Sequence, residues 1–130
     1  MRTKIPILIV EDNKIDAHIT ESILKNADKR IETQLCTNGA TAIDYLIANE
    51  ESPPAFIFLD INMPIMNGKQ FLIKKASLQN IQDVPVIMLT SSGLDSERKE
   101  CFNLGAVEYI EKPLSIEVLT KNEKLVSLLH

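Results

Sequence analysis

The chain has 130 residues, 45% of them hydrophobic and 25% charged, with a net charge of -4 at pH 7. This length suits one compact domain, and a weakly acidic chain without a Lys/Arg cluster lacks the basic face that direct nucleic-acid binding needs. No apolar stretch approaches the roughly 20 residues of a membrane span, and Cys36 and Cys101, far apart and without a CxxC partner, support neither a disulfide framework nor a zinc site.

Taken in chain order, short apolar runs alternate with longer helical patterns. The N-terminal MRTKIPILIVED has the basic start of a signal peptide. Its apolar run, 5–10, is too short for one, and Glu11 and Asp12 end it without a small-residue cleavage site, so it is predicted as the first strand. A helix is expected over Ile15 to Ala27, with Ile15, Ile19, Ile23 and Leu24 on one stripe. The alternating IETQLCT (31–37) reads as an edge strand, and Asn38-Gly39 precedes a helical pattern with Ile43, Leu46 and Ile47 on one face. AFIFLD (55–60) is a third strand, and Gly68 opens a third helix around Phe71, Leu72 and Leu78. VPVIMLT (84–90) is a fourth strand, followed by a polar helix from Asp95 to Leu104 that ends at Gly105, a C-cap signal. AVEYIE (106–111) is the fifth strand, and Ser115 can cap a last helix running through Val118, Leu119, Leu125, Val126 and Leu129. Five strands alternating with five helices predict a parallel sheet covered on both faces, with right-handed crossovers.

In an open parallel sheet, ligands bind at the carboxyl ends of the strands. Strand one ends in Glu11-Asp12, strand three in Asp60, strand four in Thr90-Ser91, and strand five is followed by Lys112-Pro113. Three carboxylates on one rim repel each other, and a hard cation with oxygen ligands such as Mg²⁺ resolves the repulsion. A lysine and a hydroxyl beside them suit a phosphate, and an aspartate can itself accept a phosphoryl group. Each residue alone has a blander role. Asp60 alone reads as a turn cap, Glu11-Asp12 as a helix cap, Thr90-Ser91-Ser92 as a hydroxyl-rich turn, and Lys112-Pro113 as loop chemistry. Only their convergence on one rim favours a site.

At this point the chain resembles the receiver domain of two-component response regulators. The resemblance is carried by LIVEDN (8–13), FLDINMPIMNG (58–68), VIMLTSS (86–92) and YIEKPL (109–114), and spans about Ile5 to Leu129. Asp60 and Thr90 lie 30 residues apart (90 − 60), and Thr90 and Lys112 lie 22 apart (112 − 90). The resemblance implies a doubly wound α/β fold of the flavodoxin-like, CheY-like type, a five-stranded parallel sheet in the order 2-1-3-4-5. It implies Asp60 as phosphoacceptor. Glu11, Asp12, Asp60 and the backbone carbonyl of Asn62 would hold Mg²⁺. Thr90 corresponds to a switch hydroxyl, Tyr109 to an aromatic that moves inward with it, Lys112 to the partner of the phosphoryl oxygens, and Pro113 to a proline after a cis peptide. Glu11 stands where an aspartate is commoner, and Ser91 is bulkier than the usual Ala or Gly.

The expectation is therefore a cytoplasmic, single-domain regulator over residues 1–130, because the chain stops soon after the last helix and leaves no output domain. Its partners would be a sensor histidine kinase or histidine phosphotransfer protein, a downstream protein target, and a second copy meeting it through the face of helix four, strand five and helix five. It would not be an enzyme beyond its own phosphorylation and dephosphorylation. Two competing readings remain: a phosphorylation-independent pseudo-receiver scaffold, and a haloacid-dehalogenase-like phosphatase. The second family places a general acid two residues after its nucleophile, where this chain has Asn62. A nucleotide- or flavin-binding domain needs a glycine-rich loop after strand one, and VEDNKIDA has no glycine.

Overall fold

The computed structural model describes residues 3–130. The elements are β1 (Ile5–Val10), α1 (Lys14–Ala27), β2 (Ile31–Cys36), α2 (Gly39–Ala48), β3 (Phe56–Leu59), α3 (Gly68–Ala76), β4 (Val86–Thr90), α4 (Asp95–Asn103), β5 (Glu108–Glu111), α5 (Ile116–Lys121) and α6 (Glu123–Leu129). The strands form one sheet in the order β2-β1-β3-β4-β5, and every neighbouring pair is parallel. This is the expected doubly wound order.

The three central strands are apolar at nearly every position because both sheet faces are covered. Successive side chains alternate between two cores. Leu8, Val10, Ile57, Leu59, Val86 and Met88 pack with Ala42, Leu46, Phe71 and Cys101 from α2, α3 and α4. Ile7, Ile9, Phe56, Phe58, Ile87 and Leu89 pack on the other side with Leu24, Leu119 and Leu125 from α1, α5 and α6. No helix among the described residues is long and apolar enough to cross a membrane.

Short polar side chains begin most helices. Asn13 accepts from the Asp16 N–H, Asn38 from that of Thr41, and Ser115 from that of Val118. Asn67 and Gln70 form a reciprocal capping box at α3.

Two expectations need correction. The first concerns α1. Its buried residues are Ala17, Thr20 and Leu24, while Ile15 is 72% exposed and Ile19 is also exposed. The isoleucines repeat every four residues, so only Ile23 comes round to pack against the core, beside the buried Leu24, while Ile15 and Ile19 face outward; Ala17 and Thr20 fill the buried positions of the first turns. The second concerns the last helix, which is two. Asn122 adopts extended backbone (φ −73°, ψ 114°) and its side chain accepts from the Leu125 N–H. It also donates to Glu108 at 3.3 Å. Asn122 thus ends α5, whose last N–H bond it supplies to Val118, and caps α6.

Candidate functional site

The parallel ladder delivers each polar residue to the carboxyl edge. The Asp60 N–H donates to the Val10 carbonyl at 3.1 Å, the Glu11 N–H to Cys36 at 2.9 Å, and the Lys112 N–H to Thr90 at 2.8 Å. These bonds continue the strand pairing by one residue, so the chemistry begins where the apolar strands stop. Glu11, Asp60 and Thr90 are buried although polar, whereas Asp12 is exposed. Oxygens of Glu11, Asp12 and Asp60 lie within 4.8 Å of one another.

Lys112 binds this cluster together. Its ammonium donates to Glu11, to Asp60 at 3.2 Å, and to Asp16 at 2.9 Å. Burial alone would lower the Lys112 pKa, but the bonds to Glu11 and Asp16 and the charge of Asp60 outweigh it and hold the pKa above its ordinary value. Burial pushes Glu11 up to about 7, against the pull of Lys112 and of the Asn13 N–H, and the Asp60 charge pushes the same way. One ammonium among four carboxylates leaves net negative charge in a half-enclosed site. Hard oxygen donors in that balance suit Mg²⁺, which takes a few carboxylates and keeps several waters, and the exposure of Asp12 leaves room for water. The donor set therefore fits the ion.

Asp16 was missed by the sequence reading. It lies in the first turn of α1, just past the Asn13 cap, where the helix turns it toward Lys112. Its sequence context reads as helix capping, which conceals its second contact.

The remaining predicted residues are distributed as follows. Thr90 Oγ accepts from the Ser92 N–H at 3.5 Å. Asn62 is exposed in the loop after Asp60. The Lys112–Pro113 peptide is cis. Tyr109 is only 6% exposed, and its hydroxyl donates to the Ser92 carbonyl at 2.8 Å. The Arg98 guanidinium lies 5.7 Å from its ring centre and 5.3 Å from that of Phe102. The aromatic that the resemblance implied would move inward is thus already inside, held by a carbonyl at its tip and a cation over its face.

The loop from Asp60 to Gly68 closes on itself. The Gly68 N–H donates to Ile61 at 2.8 Å and the Gly39 N–H to Met66 at 2.9 Å. A Cβ at Gly68 would meet Ile61 Cα at 2.9 Å, and one at Gly39 would meet the Met66 carbonyl at 2.7 Å. Both positions require glycine for close approach. Beyond the loop, Lys69 pairs with Glu97 at 3.1 Å and Glu100 at 2.7 Å on α4. Ser92 donates to Glu97 at 2.7 Å.

Against known proteins, the response regulator receiver domain model matches residues 7–123. The chain is 29% identical to the two-component response regulator ARR17 of Arabidopsis thaliana, over 93% of this chain and 84% of that one. Two other curated relatives are much longer, the chain spanning 27% and 5% of them. Among solved structures, the phosphorylated cyanobacterial phytochrome response regulator RcpA is 28% identical with a TM-score of 0.79, covering 95% of this chain and 91% of that one. The Mn²⁺-bound form of response regulator Rcp1 is also 28% identical, with a TM-score of 0.74 and coverage of 90% and 87%.

Proposed function

The chain belongs to the response regulator receiver domain family, and we propose that it accepts a phosphoryl group from a phosphohistidine onto Asp60. The observation that carries this reading is the clustering of Glu11, Asp12 and Asp60 oxygens within 4.8 Å, with Lys112 Nζ 3.2 Å from Asp60. A carboxylate oxygen of Asp60 attacks phosphorus in line as the histidine N–P bond breaks. The bonding pair returns to the ring nitrogen, which takes up a proton. Glu11, Asp12, Asp60 and the Asn62 carbonyl would hold Mg²⁺, which supplies charge neutralisation for the carboxylates and the transferring oxygens. Lys112 stabilises the phosphoryl oxygens as a point charge.

The aspartyl phosphate carries roughly two negative charges and strong acceptor oxygens. Thr90 and Lys112 then gain a new partner. The Thr90–Ser92 turn, tied to Tyr109 and Glu97, passes the change to α4, β5 and α5. That face would meet a downstream protein or a second copy of the chain. The phosphoryl donor would be a histidine kinase or phosphotransfer protein, in keeping with the family.

Intact-mass spectrometry after incubation with acetyl phosphate tests this reading. A Mg²⁺-dependent, hydroxylamine-labile phosphoryl adduct is expected on the wild type and none on Asp60→Asn. A folded, Mg²⁺-binding wild type that gains no adduct from acetyl phosphate or from a phosphorylated phosphotransfer domain would instead be a phosphorylation-independent scaffold.

A further inference from the structure

Four carboxylates stand at this rim, of which Lys112 binds Glu11, Asp16 and Asp60 and only Glu11, Asp12 and Asp60 gather their oxygens as a metal site. The fourth, Asp16, stands apart: it belongs to α1, its side chain is 38% exposed, and it is not among the clustered donors. We propose that Asp16 is a positioning residue that shares the Lys112 ammonium with Glu11 and Asp60 and supplies its counter-charge when these carboxylates serve a divalent cation.

The donors around the site support this. Glu11 Oε2 accepts from the Asn13 N–H at 3.1 Å and Asp60 Oδ1 from the Ile61 N–H at 2.8 Å. Their other oxygens, Glu11 Oε1 and Asp60 Oδ2, accept from Lys112. All four oxygens already face a donor, and a divalent cation drawn to Glu11 and Asp60 repels the one charged donor among them, the Lys112 ammonium. The two backbone donors are fixed by the chain. Lys112, on a flexible four-carbon stem, is the donor that can yield. An ammonium leaving two buried carboxylates needs another counter-charge, because an unpaired buried charge is strongly disfavoured. Asp16 supplies it at 2.9 Å, against 3.2 Å for Asp60, with Glu11 the nearest of the three. Its backbone is fixed by the helix cap, its N–H donating to Asn13 Oδ1 at 3.0 Å. Without Asp16 the ammonium's three donors turn to Glu11 and Asp60 alone, and the incoming cation has to displace them.

This inference rests on the reading of the cluster as a Mg²⁺ site. The experiment is calorimetric titration of Mg²⁺ into the unphosphorylated wild type, Asp16→Asn, Asp16→Glu, Lys112→Ala and the Asp16→Asn/Lys112→Ala double variant, with folding checked by amide NMR. Asp16→Asn is expected to raise the Mg²⁺ Kd about five-fold in the wild-type background, the size of a half-exposed charge pair, and less than about two-fold in the Lys112→Ala background. Asp16→Glu is expected to restore most of the affinity. Lysine-ammonium NMR is a second readout independent of Lys112→Ala: the Lys112 signal persists in Mg²⁺-saturated wild type and is lost to solvent exchange in Asp16→Asn. An unchanged Kd in Asp16→Asn overturns the proposal. So does an equal rise in both backgrounds, which marks a plain long-range charge effect, and so does a Lys112 signal indifferent to Asp16. A wild type that binds no Mg²⁺ overturns the metal-site reading itself.

Discussion

Helices α2 and α4 lie on the same face of the sheet and are held to it in opposite ways. α2 buries Gly39, Ala42, Ile43 and Leu46 and is capped by Asn38. α4 buries Cys101 alone and has no side-chain cap. Its tethers are polar: Lys69 to Glu97 and Glu100, Ser92 to Glu97, and Arg98 against the ring and carbonyl of Tyr109. The bonds to Glu100 and then Glu97 raise the Lys69 pKa to about 12. A helix seated by apolar area moves only by opening a cavity. A helix seated by surface ion pairs, each contributing up to about 1 kcal/mol, can be re-seated by a change of charge nearby. On this one face, the α4 side is thus soft and the α2 side hard.

The sharpest contrast comes from the packed side. Leu46→Ala is expected to destabilise the fold by about 3 kcal/mol through lost burial and a residual cavity. Urea unfolding should show a lower midpoint with an unchanged slope; a loss below about 1 kcal/mol would mean that α2, like α4, is held by something other than packing.

Next in size is Lys75, a buried lysine on α3 between the two helices. Its ammonium donates to the Gln82 carbonyl at 2.7 Å, and burial pushes its pKa from 10.5 down to about 8, against a small opposing pull from Asp83. Below about pH 8 both the folded and unfolded states carry the proton, and the folded state bears the full burial penalty. Between about pH 8 and 10.5 the unfolded chain binds more protons, so stability rises with pH through that window. Lys75→Met should remove this rise and stabilise the protein by roughly 1–2 kcal/mol at neutral pH. Denaturant titrations at pH 7 and pH 10 check both statements, and a destabilised Lys75→Met would show that the carbonyl bond outweighs burial.

Two smaller effects probe the soft side. Cys101→Ala, removing the one buried side chain of α4, is expected to cost about 1 kcal/mol in chemical unfolding. Lys69→Gln is expected to cost less than about 1 kcal/mol globally while raising amide exchange in α4 several-fold and leaving α2 unchanged. Equal acceleration in both helices would erase the distinction.

Much of this architecture could be read from the chain because the three central strands are buried on both faces, so their apolar runs are continuous and their ends abrupt. Glu11, Asp60, Thr90 and Lys112 were found through those abrupt ends. What escaped depends on side chains with two roles. Ala17 and Thr20 carry no strong apolar signal, yet they are buried in the first turns of α1 where Ile15 and Ile19 are exposed. Asn122 fits a helical pattern, and only its cap to Leu125 and its bond to Glu108 make it a break. Asp16 looked like an ordinary first-turn acid, and its partner lies 96 residues away. The place of Tyr109 in the core follows from its strand position, but its contacts with Ser92 and Arg98 come from neighbours that periodicity cannot supply.

For protein engineering, the clasp formed by Gly39, Met66 and Gly68 sorts the surface loops into two kinds. The segment 49–54 carries exposed Glu51, Ser52 and Pro53 between α2 and β3 and is a natural place to splice in a reporter peptide. The segment 62–67 is equally visible from outside, but its length is set by backbone atoms touching at both ends. An added residue there would separate the start of α3 from the carboxylate it follows. A library that varies loop length should leave that stretch alone and vary only its side chains.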